Sequence, residues 1–421
     1  DYQTSIKELT AFLKKYPGHE ESSEARVLLG DALMNEGRME EGIASFAGIS
    51  KQDVRFYEEG VFKVGKAYKL MEENDKLLEH MKTFTDESPR SARVAEAIYQ
   101  IGWVYRQREE PDKARDIYWD AITKYGADPS IRSVDDLFPA VARLYKGPEE
   151  RAQYQARLRD LAEAGRRDQP TLAMRAVWAQ AGALKKSDPE QAQAIFLEAA
   201  KLANVQSTNP LLLADFATAL LAAGREEEGE AMWRDLVKWN PRAPQKDSAF
   251  AALGMLELQR GNEKAALGWF ERFERETLGS VLFGKILLAK ARLQEARGQY
   301  ADARKSLERL LGNQFSSGKE KAEALYLIGE IYLKEGKPEL AVPYFQRIYV
   351  MHGRWRPWVV KAYLASGGAF EKLEDDLSAR RTYQELTENE DFADFEETEA
   401  ARKRLNALGG PVPKEKEPAE G

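Results

Sequence analysis

The side chains that most often carry out catalysis are few or scattered in this chain of 421 residues. It has no cysteine, which excludes a disulfide, a thiolate metal site and a cysteine nucleophile. Its three histidines, His19, His80 and His352, lie far apart in the sequence, and none belongs to an HExxH pattern. We therefore predict no metal site and no histidine that acts as a general base.

Two further patterns could carry chemistry, and neither does so convincingly. The segment GSVLFGKI comes close to a phosphate-binding loop, but it ends in Ile286 instead of the hydroxyl residue that binds Mg²⁺. Carboxylates are plentiful, as in ENEDFADFEETE, yet acidic runs are typical of solvated helices, and no apolar pocket is evident that would raise a catalytic pKa. The sequence therefore predicts a protein that is not an enzyme and has no cofactor.

A two-helix pattern recurs about every 37 residues along the chain. Its second helix carries one bulky residue per repeat, at intervals of 35 to 40 residues: Phe46, Met81, Tyr118, Leu158, Phe196, Trp233, Phe270, Leu307, Phe345 and Tyr383. Its first helix carries a small residue, such as Gly30 or Gly329, that lets two antiparallel helices approach. Glycines such as Gly37 and Gly336 separate the two helices. The pattern predicts an all-α solenoid of about ten helix-turn-helix repeats.

The motifs LLGDALMNEGRMEEGIASF and LIGEIYLKEGKPELAVPYF resemble the tetratricopeptide repeat family, and the likeness covers roughly residues 1–390. The period exceeds the usual length of about 34 residues. In this respect FLKKYPGHEESSEARVLLGDALMNEG is similar to the longer repeats of bacterial envelope proteins, such as the periplasmic Tol-associated protein and outer-membrane assembly lipoproteins. The resemblance implies an α-α superhelix that binds a protein or peptide. It also implies a periplasmic or outer-membrane location, with the cytoplasm as the alternative.

We expect residues 1–390 to form one continuous solenoid, because repeat arrays grow as a single stack. Within it, 1–18 would be a partial repeat, and about 131–165 an irregular repeat that lacks the central glycine. Residues 391–408 are predicted to form a capping helix, and 409–421 a disordered tail.

The charge and hydropathy of the chain limit the kinds of partner that we expect. A net charge of -7 disfavours a nucleic-acid partner, and no apolar run approaches the length of a membrane span. The chain begins at Asp1 inside a second-helix pattern, so we expect that a leader, a lipid anchor or upstream repeats precede it. The oligomeric state stays open.

The exposed stripe of the first helices is the expected binding surface. In an outer repeat the stripe is mixed, as in Glu323, Tyr326, Glu330 and Leu333. In the central repeats it turns apolar and gives our partner-binding candidates: Met174, Val177, Ala181, Leu184, Leu211, Ala214, Thr218, Leu221, Ala251, Met255 and Leu258. A concave groove of this character suits a partner helix. The alternative is that these helices pack against each other and bury the stripe.

A second candidate surface is the segment MHGRWRPWVVKAY, whose binding residues would be Arg354, Trp355, Arg356 and Trp358. Exposed Trp and Arg favour protein interfaces, although the segment could equally pack two repeats together. We predict a scaffold or adaptor of a bacterial envelope assembly. The alternatives are a structural or regulatory spacer subunit of a larger enzyme or secretion complex, and an enzyme built from helical repeats, which would need converging acids in a deep cleft.

Overall fold

The computed structural model describes residues 1–277 and 279–413. All regular secondary structure in these ranges is helical, with 22 α-helices and two short 3-10 helices at Arg132–Asp136 and Glu390–Phe392. The chain forms two compact units, Asp1–Trp239 and Asn240–Gly421. The expectation of one continuous solenoid over 1–390 stays a prediction. Of the predicted tail, residues 414–421 lie outside the described residues.

Within the first unit, helices alternate between the two positions of a repeat. Consecutive helices pack against each other, apart from those at Leu137–Ala142 and Pro148–Gly165, which both pack against the helix at Pro170–Leu184. The first helices are α2 (Ser22–Asn35), α4 (Val54–Leu70), α6 (Val94–Gln107), α8 (Leu137–Ala142), α10 (Pro170–Leu184) and α12 (Pro210–Ala222). The second helices are α1 (Tyr2–Lys15), α3 (Met39–Ala47), α5 (Asn74–Glu87), α7 (Pro111–Tyr125), α9 (Pro148–Gly165), α11 (Pro189–Ala200) and α13 (Glu226–Trp239).

The second unit follows the same scheme. Its first helices are α14 (Lys246–Gln259), α16 (Phe283–Ala296), α18 (Gly318–Lys334) and α20 (Arg356–Lys372), and its second helices are α15 (Glu263–Glu276), α17 (Tyr300–Gly312), α19 (Pro338–Met351) and α21 (Asp376–Glu388). A last helix, α22 (Glu396–Ala407), packs against α20 and α21 within the range predicted for the cap. The ten helix pairs confirm the predicted all-α repeat fold.

In the repeats with a glycine at the small position of the first helix, a bulky side chain of the second helix lies directly on that glycine. All ten residues of the predicted bulky column are buried, which confirms its assignment. A Cβ atom on Gly329 would lie 2.5 Å from the Phe345 ring, and one on Gly102 would lie 2.3 Å from the Tyr118 ring. Only a glycine permits this approach, because real Cβ atoms do not come so close to a neighbour.

In eight of the ten repeats, the turn between the two helices contains one residue with a positive φ. The five glycines Gly37, Gly224, Gly261, Gly298 and Gly336 take it, with φ between 72° and 78°, as the sequence predicts. In three other repeats a glutamate fills the same place: Glu72, Glu109 and Glu374, with φ between 58° and 60°. The turn geometry is therefore fixed by the helix pair and not by the glycine, although a glycine adopts it at lower cost.

The repeat that was expected to be irregular is held by a buried ion pair. Its first helix, α8, has six residues and follows the 3-10 helix Arg132–Asp136. Arg175 Nε of α10 donates to Asp135 Oδ1 at 2.7 Å, and its Nη atoms donate to the carbonyl oxygens of Gly126, Asp128 and Ile131 at 2.8 to 3.0 Å. Asn209 donates to the other Asp135 oxygen at 2.9 Å. Arg175 thus satisfies the carbonyls of a bend that no helix continues.

We predict that Gly329→Ala lowers the free energy of unfolding by about 1–3 kcal/mol, because its new methyl group must displace the buried Phe345 ring. Gly268→Ala is the matched control. Gly268 lies in α15 with no atom near its added Cβ, so alanine should stabilise this helix by up to about 1 kcal/mol. Urea unfolding followed by circular dichroism measures both. Equal stabilities for the two variants would contradict the role assigned to the glycine column.

We predict that Asp135→Ala lowers the free energy of unfolding of the first unit by about 3–5 kcal/mol, because it leaves the Arg175 guanidinium buried without a counter-charge. The control is Asp31→Ala, which removes the partly exposed pair with Lys63 and should cost less than about 1 kcal/mol. Urea unfolding again gives the comparison. A small effect of Asp135→Ala would mean that the bend holds without the ion pair.

Candidate functional site

The apolar stripe predicted on α10 lies mostly inside the first unit. Met174, Val177 and Ala181 are 2%, 6% and 0% exposed and belong to its core, whereas Leu184 is half-buried. The reason is that α10 packs against α8, α9 and α11, so little of its circumference reaches solvent. These three residues therefore cannot line an open groove, and for them the packing alternative holds.

The stripe on α12 is only partly accessible. Leu211 is 38% exposed and Thr218 is exposed, whereas Ala214 and Leu221 are half-buried. Leu221 packs on α13, since a Cβ atom added to Gly229 would lie 2.8 Å from its side chain. The Thr218 hydroxyl donates to the Ala214 carbonyl at 2.7 Å and is thereby turned back onto its own helix.

The third part of the predicted stripe belongs to the second unit. On α14, Ala251 is buried, and Met255 and Leu258 are half-buried. Helical spacing places these residues on one face of α14, but the spacing alone does not reveal how much of that face is covered by neighbouring helices.

The four residues of the Trp and Arg segment divide into different roles. The Arg354 guanidinium lies 5.7 Å from the Trp355 ring centroid, and Trp355 packs on the core of the second unit. Arg356 Nη2 lies 3.1 Å from Asp391 Oδ1 in an ion pair. Trp358 packs against Tyr326 of α18, with ring centroids 5.6 Å apart. Trp358 also lines a cavity.

That cavity is a groove of about 580 Å³ formed by α16, α18, α20 and α22, that is, by successive first helices and the last helix. Its apolar lining is Tyr326, Leu327, Leu333, Trp358, Leu364 and Ala365, and its charged lining is Arg292, Glu330, Lys361, Lys372, Glu397 and Arg404. We call it the α18–α20 groove. Aromatic and aliphatic surface with charges around it is the usual composition of a peptide site.

The charges of the α18–α20 groove are only partly neutralised. Arg292 pairs with Glu323 at 2.6 Å, and Arg404 pairs with Glu371 at 3.1 Å. The Lys361 ammonium lies 5.3 Å from the Trp358 ring. Within the described ranges, Lys372 forms no salt bridge. The groove therefore offers an ammonium group to a carboxylate of a ligand.

A neutral donor completes the α18–α20 groove. Burial raises the pKa of the Tyr326 hydroxyl, and the neighbouring carboxylate of Glu330 raises it further. The phenol therefore stays protonated at neutral pH. Three of the four residues of the mixed outer stripe, Tyr326, Glu330 and Leu333, line this groove. The stripe spacing predicts that they share a face, but their mixed character does not distinguish a groove from an ordinary solvated surface.

Other site chemistry is sparse in the part of the chain that the structure describes. It contains no group of three or more His, Asp or Glu side chains placed to hold a metal ion. The His80 ring forms a hydrogen bond within the fold, since its Nε2 lies 2.9 Å from the Val61 carbonyl oxygen. None of the described helices has the length and hydropathy needed to cross a membrane.

Comparison with known families places repeats in three stretches of the chain. One model of the tetratricopeptide repeat matches residues 1–53 and 288–355, and a second model of the same repeat matches residues 96–126. Tetratricopeptide repeats generally serve as scaffolds for protein–protein interaction and are typically non-catalytic. No curated protein matches the chain.

Solved structures of several proteins have a similar arrangement of helices. PilW, a type IV pilus biogenesis factor, has 17% identity and a TM-score of 0.39, over 54% of this chain and 97% of its own. The pilF protein of Pseudomonas aeruginosa has 16% identity and a TM-score of 0.37, over 62% of this chain and 92% of its own. A tetratricopeptide repeat protein of Parabacteroides merdae has 13% identity and a TM-score of 0.36, over 70% of this chain and 98% of its own. Scores of this size support no transfer of a function or a partner.

We predict that Leu221→Asp lowers the free energy of unfolding of the first unit by about 2 kcal/mol, because it places a carboxylate against α13. Leu211→Asp, on the same helix but more exposed, should change it by less than about 0.5 kcal/mol. Urea unfolding of both variants checks the difference. If Leu221→Asp were as stable as Leu211→Asp, the α12 stripe would be a free surface after all.

Proposed function

Since the chain carries tetratricopeptide repeats, we propose that it is a non-enzymatic scaffold that binds an extended or helical peptide of a partner protein in the α18–α20 groove. The observation that carries the proposal is the composition of this groove. It combines an aromatic pair, Tyr326 and Trp358, with accessible ammonium groups on Lys361 and Lys372. Such a surface fixes a peptide through an aromatic or aliphatic anchor and a carboxylate.

The position of the groove also supports the proposal. It is built on four helices that pack against one another in the second unit, so its residues are held on rigid elements and not on loops. A preformed groove loses less conformational entropy when a peptide binds. The second Trp and Arg candidate thus contributes to the proposed site through Trp358.

A bacterial envelope location and a role in an envelope assembly are further parts of this proposal. They rest on the repeat period of about 37 residues, which is similar to that of envelope repeat proteins. The alternative function is a spacer subunit of a larger complex, in which the stability of the helix pairs matters and the groove stays empty.

The test uses a phage-displayed library of random peptides, selected on the full 421-residue chain and measured by fluorescence anisotropy. We expect enriched peptides that carry an aromatic or leucine anchor near a carboxylate. Lys361→Glu combined with Lys372→Glu should weaken the binding of these peptides about ten-fold, because two attractive charges become repulsive. The loss of affinity should be greatest at low salt, where the charges are least screened.

The control is Lys285→Glu, an exposed lysine of α16 that does not line the groove. It should leave the affinity unchanged. A Trp358→Ala variant tests the apolar anchor after its helical content has been verified. Peptides that bind all variants equally would place the site elsewhere, and a library that yields no binder would favour the spacer role.

A further inference from the structure

The first helix of the irregular repeat ends early. The equivalent of the repeat glycine in α8 is Ala142, sixteen residues before the bulky Leu158, and α8 ends at Ala142 itself. In α2, α6 and α18 the helix continues for five residues beyond its glycine: from Gly30 to Asn35, from Gly102 to Gln107 and from Gly329 to Lys334. Five helical residues rise about 7.5 Å, so more than one turn of helix is absent from this repeat.

A groove opens where the chain leaves α8. It lies between the turn that follows Ala142, the beginning of α9 and the end of α10, and its volume is about 550 Å³. We call it the α8–α10 groove. Because α9 packs chiefly on α10 and not on α8, the side of α9 towards α8 stays open. The apolar lining of the groove is Ala142, Tyr145, Ala152, Tyr154, Ala183 and Leu184.

The aromatic wall of the α8–α10 groove is held in place by hydrogen bonds. Trp119 Nε1 donates to the Tyr145 hydroxyl at 3.0 Å, and the Tyr154 hydroxyl donates to the Phe138 carbonyl oxygen at 3.2 Å. The ring centroids of Tyr145 and Tyr154 are 5.4 Å apart, and both residues are buried. The wall is therefore preformed, which reduces the conformational entropy that is lost when a ligand binds.

The charge of the α8–α10 groove is of one sign. Arg143, Lys146 and Arg151 line it, all three are exposed, and no Asp or Glu lines it. None of the three forms a salt bridge with a residue of the described ranges. The carboxylate of Glu150 accepts from the backbone N–H of Lys146 at 2.7 Å and does not line the groove. The groove therefore offers three cationic groups to a ligand.

The composition of the α8–α10 groove favours a peptide over a free anion. A site for phosphate holds its ligand by donors that converge on one point. Here the three cationic side chains are exposed, and most of the lining is apolar. A short segment that carries an apolar side chain between carboxylates is complementary to both features.

We propose that the α8–α10 groove binds a short acidic segment of a protein partner, which fills the space left by the absent last turn of α8. An apolar side chain of the segment packs on Tyr145 and Leu184. Its carboxylates approach Arg143, Lys146 and Arg151. The site belongs to the first unit and is separate from the peptide groove proposed for the second unit. It assigns a binding role to Leu184, which the sequence predicts as a partner-binding residue.

The experiment measures the binding of three fluorescein-labelled synthetic peptides by fluorescence anisotropy. The acidic peptide is EEDLFDEE. The neutral peptide, QQNLFNQQ, replaces each carboxylate by its amide, and EEDAADEE keeps the carboxylates without the apolar anchor. The protein is the full 421-residue chain with Lys361→Glu and Lys372→Glu, so that the α18–α20 groove does not attract the acidic peptides.

We expect the acidic peptide to bind about ten-fold more tightly than the neutral one at low salt, with a smaller ratio at high salt. Arg143→Glu combined with Arg151→Glu should remove most of this preference. The matched control is Arg159→Glu combined with Arg167→Glu, which changes the net charge equally at exposed positions that do not line the groove. The control should retain the preference.

The apolar anchor is tested by Leu184→Ala. This variant should weaken the binding of EEDLFDEE about three-fold or more, because apolar contact area is lost, and should leave that of EEDAADEE unchanged. A general loss of structure would weaken both peptides. Circular dichroism verifies that each variant has the helical content of the parent chain.

Two results would overturn the proposal directly: equal binding of the acidic and neutral peptides, or an equal loss of affinity in the control pair. Inorganic phosphate, added at constant ionic strength, gives a further arm. If it displaces the acidic peptide, the groove is a site for a free anion and not for a peptide. In the chain with native Lys361 and Lys372, binding that persists after Arg143→Glu and Arg151→Glu would report the α18–α20 groove, so the two proposals can fail separately.

Discussion

The close contact between a small residue of the first helix and a bulky side chain of the second helix is the constraint on which each repeat depends. The pair is separated by sixteen residues in Gly30 and Phe46, in Gly102 and Tyr118, and in Gly329 and Phe345. A constant separation means that the helix lengths and the turn between them are not free to vary. The positive φ of the turn follows from the same requirement, which explains why Glu72, Glu109 and Glu374 accept a conformation that suits glycine better.

In the repeat that has no glycine for this contact and a short first helix, a buried ion pair and its hydrogen bonds hold the chain. The repeat around α8 has Ala142 in the small position and a first helix of six residues. There the chain between α7 and α8 bends, and the Arg175 side chain from the next repeat satisfies its carbonyls while Asp135 supplies the counter-charge. Breaking a buried pair of this kind leaves an uncompensated charge, so the network fixes one geometry for the bend. An irregular repeat is therefore tolerated because the following repeat stabilises it.

Much of the fold could be predicted from the sequence because its signals are local. The bulky column, the turn glycines and the all-helical class depend on spacing within a repeat, and the ten buried column residues confirm them. The binding stripe could be predicted only in part. Spacing identifies which residues share a face, but Met174 and Ala181 are buried because three neighbouring helices surround α10, and that depends on packing beyond the repeat. The ion pair of Arg175 and Asp135 was missed for the same reason, since forty residues separate its members.

The α18–α20 groove shows how one scaffold can present different binding chemistry. The small-to-bulky contact uses one side of each first helix, so the side that faces a groove can change without loss of the fold. In the α18–α20 groove that side carries Tyr326 and Leu333, with Lys361 and Lys372 from the adjacent helix. The two ammonium groups attract a ligand with carboxylates and disfavour a basic ligand. Charge on this side therefore gives selectivity, because specificity is a difference between two binding free energies.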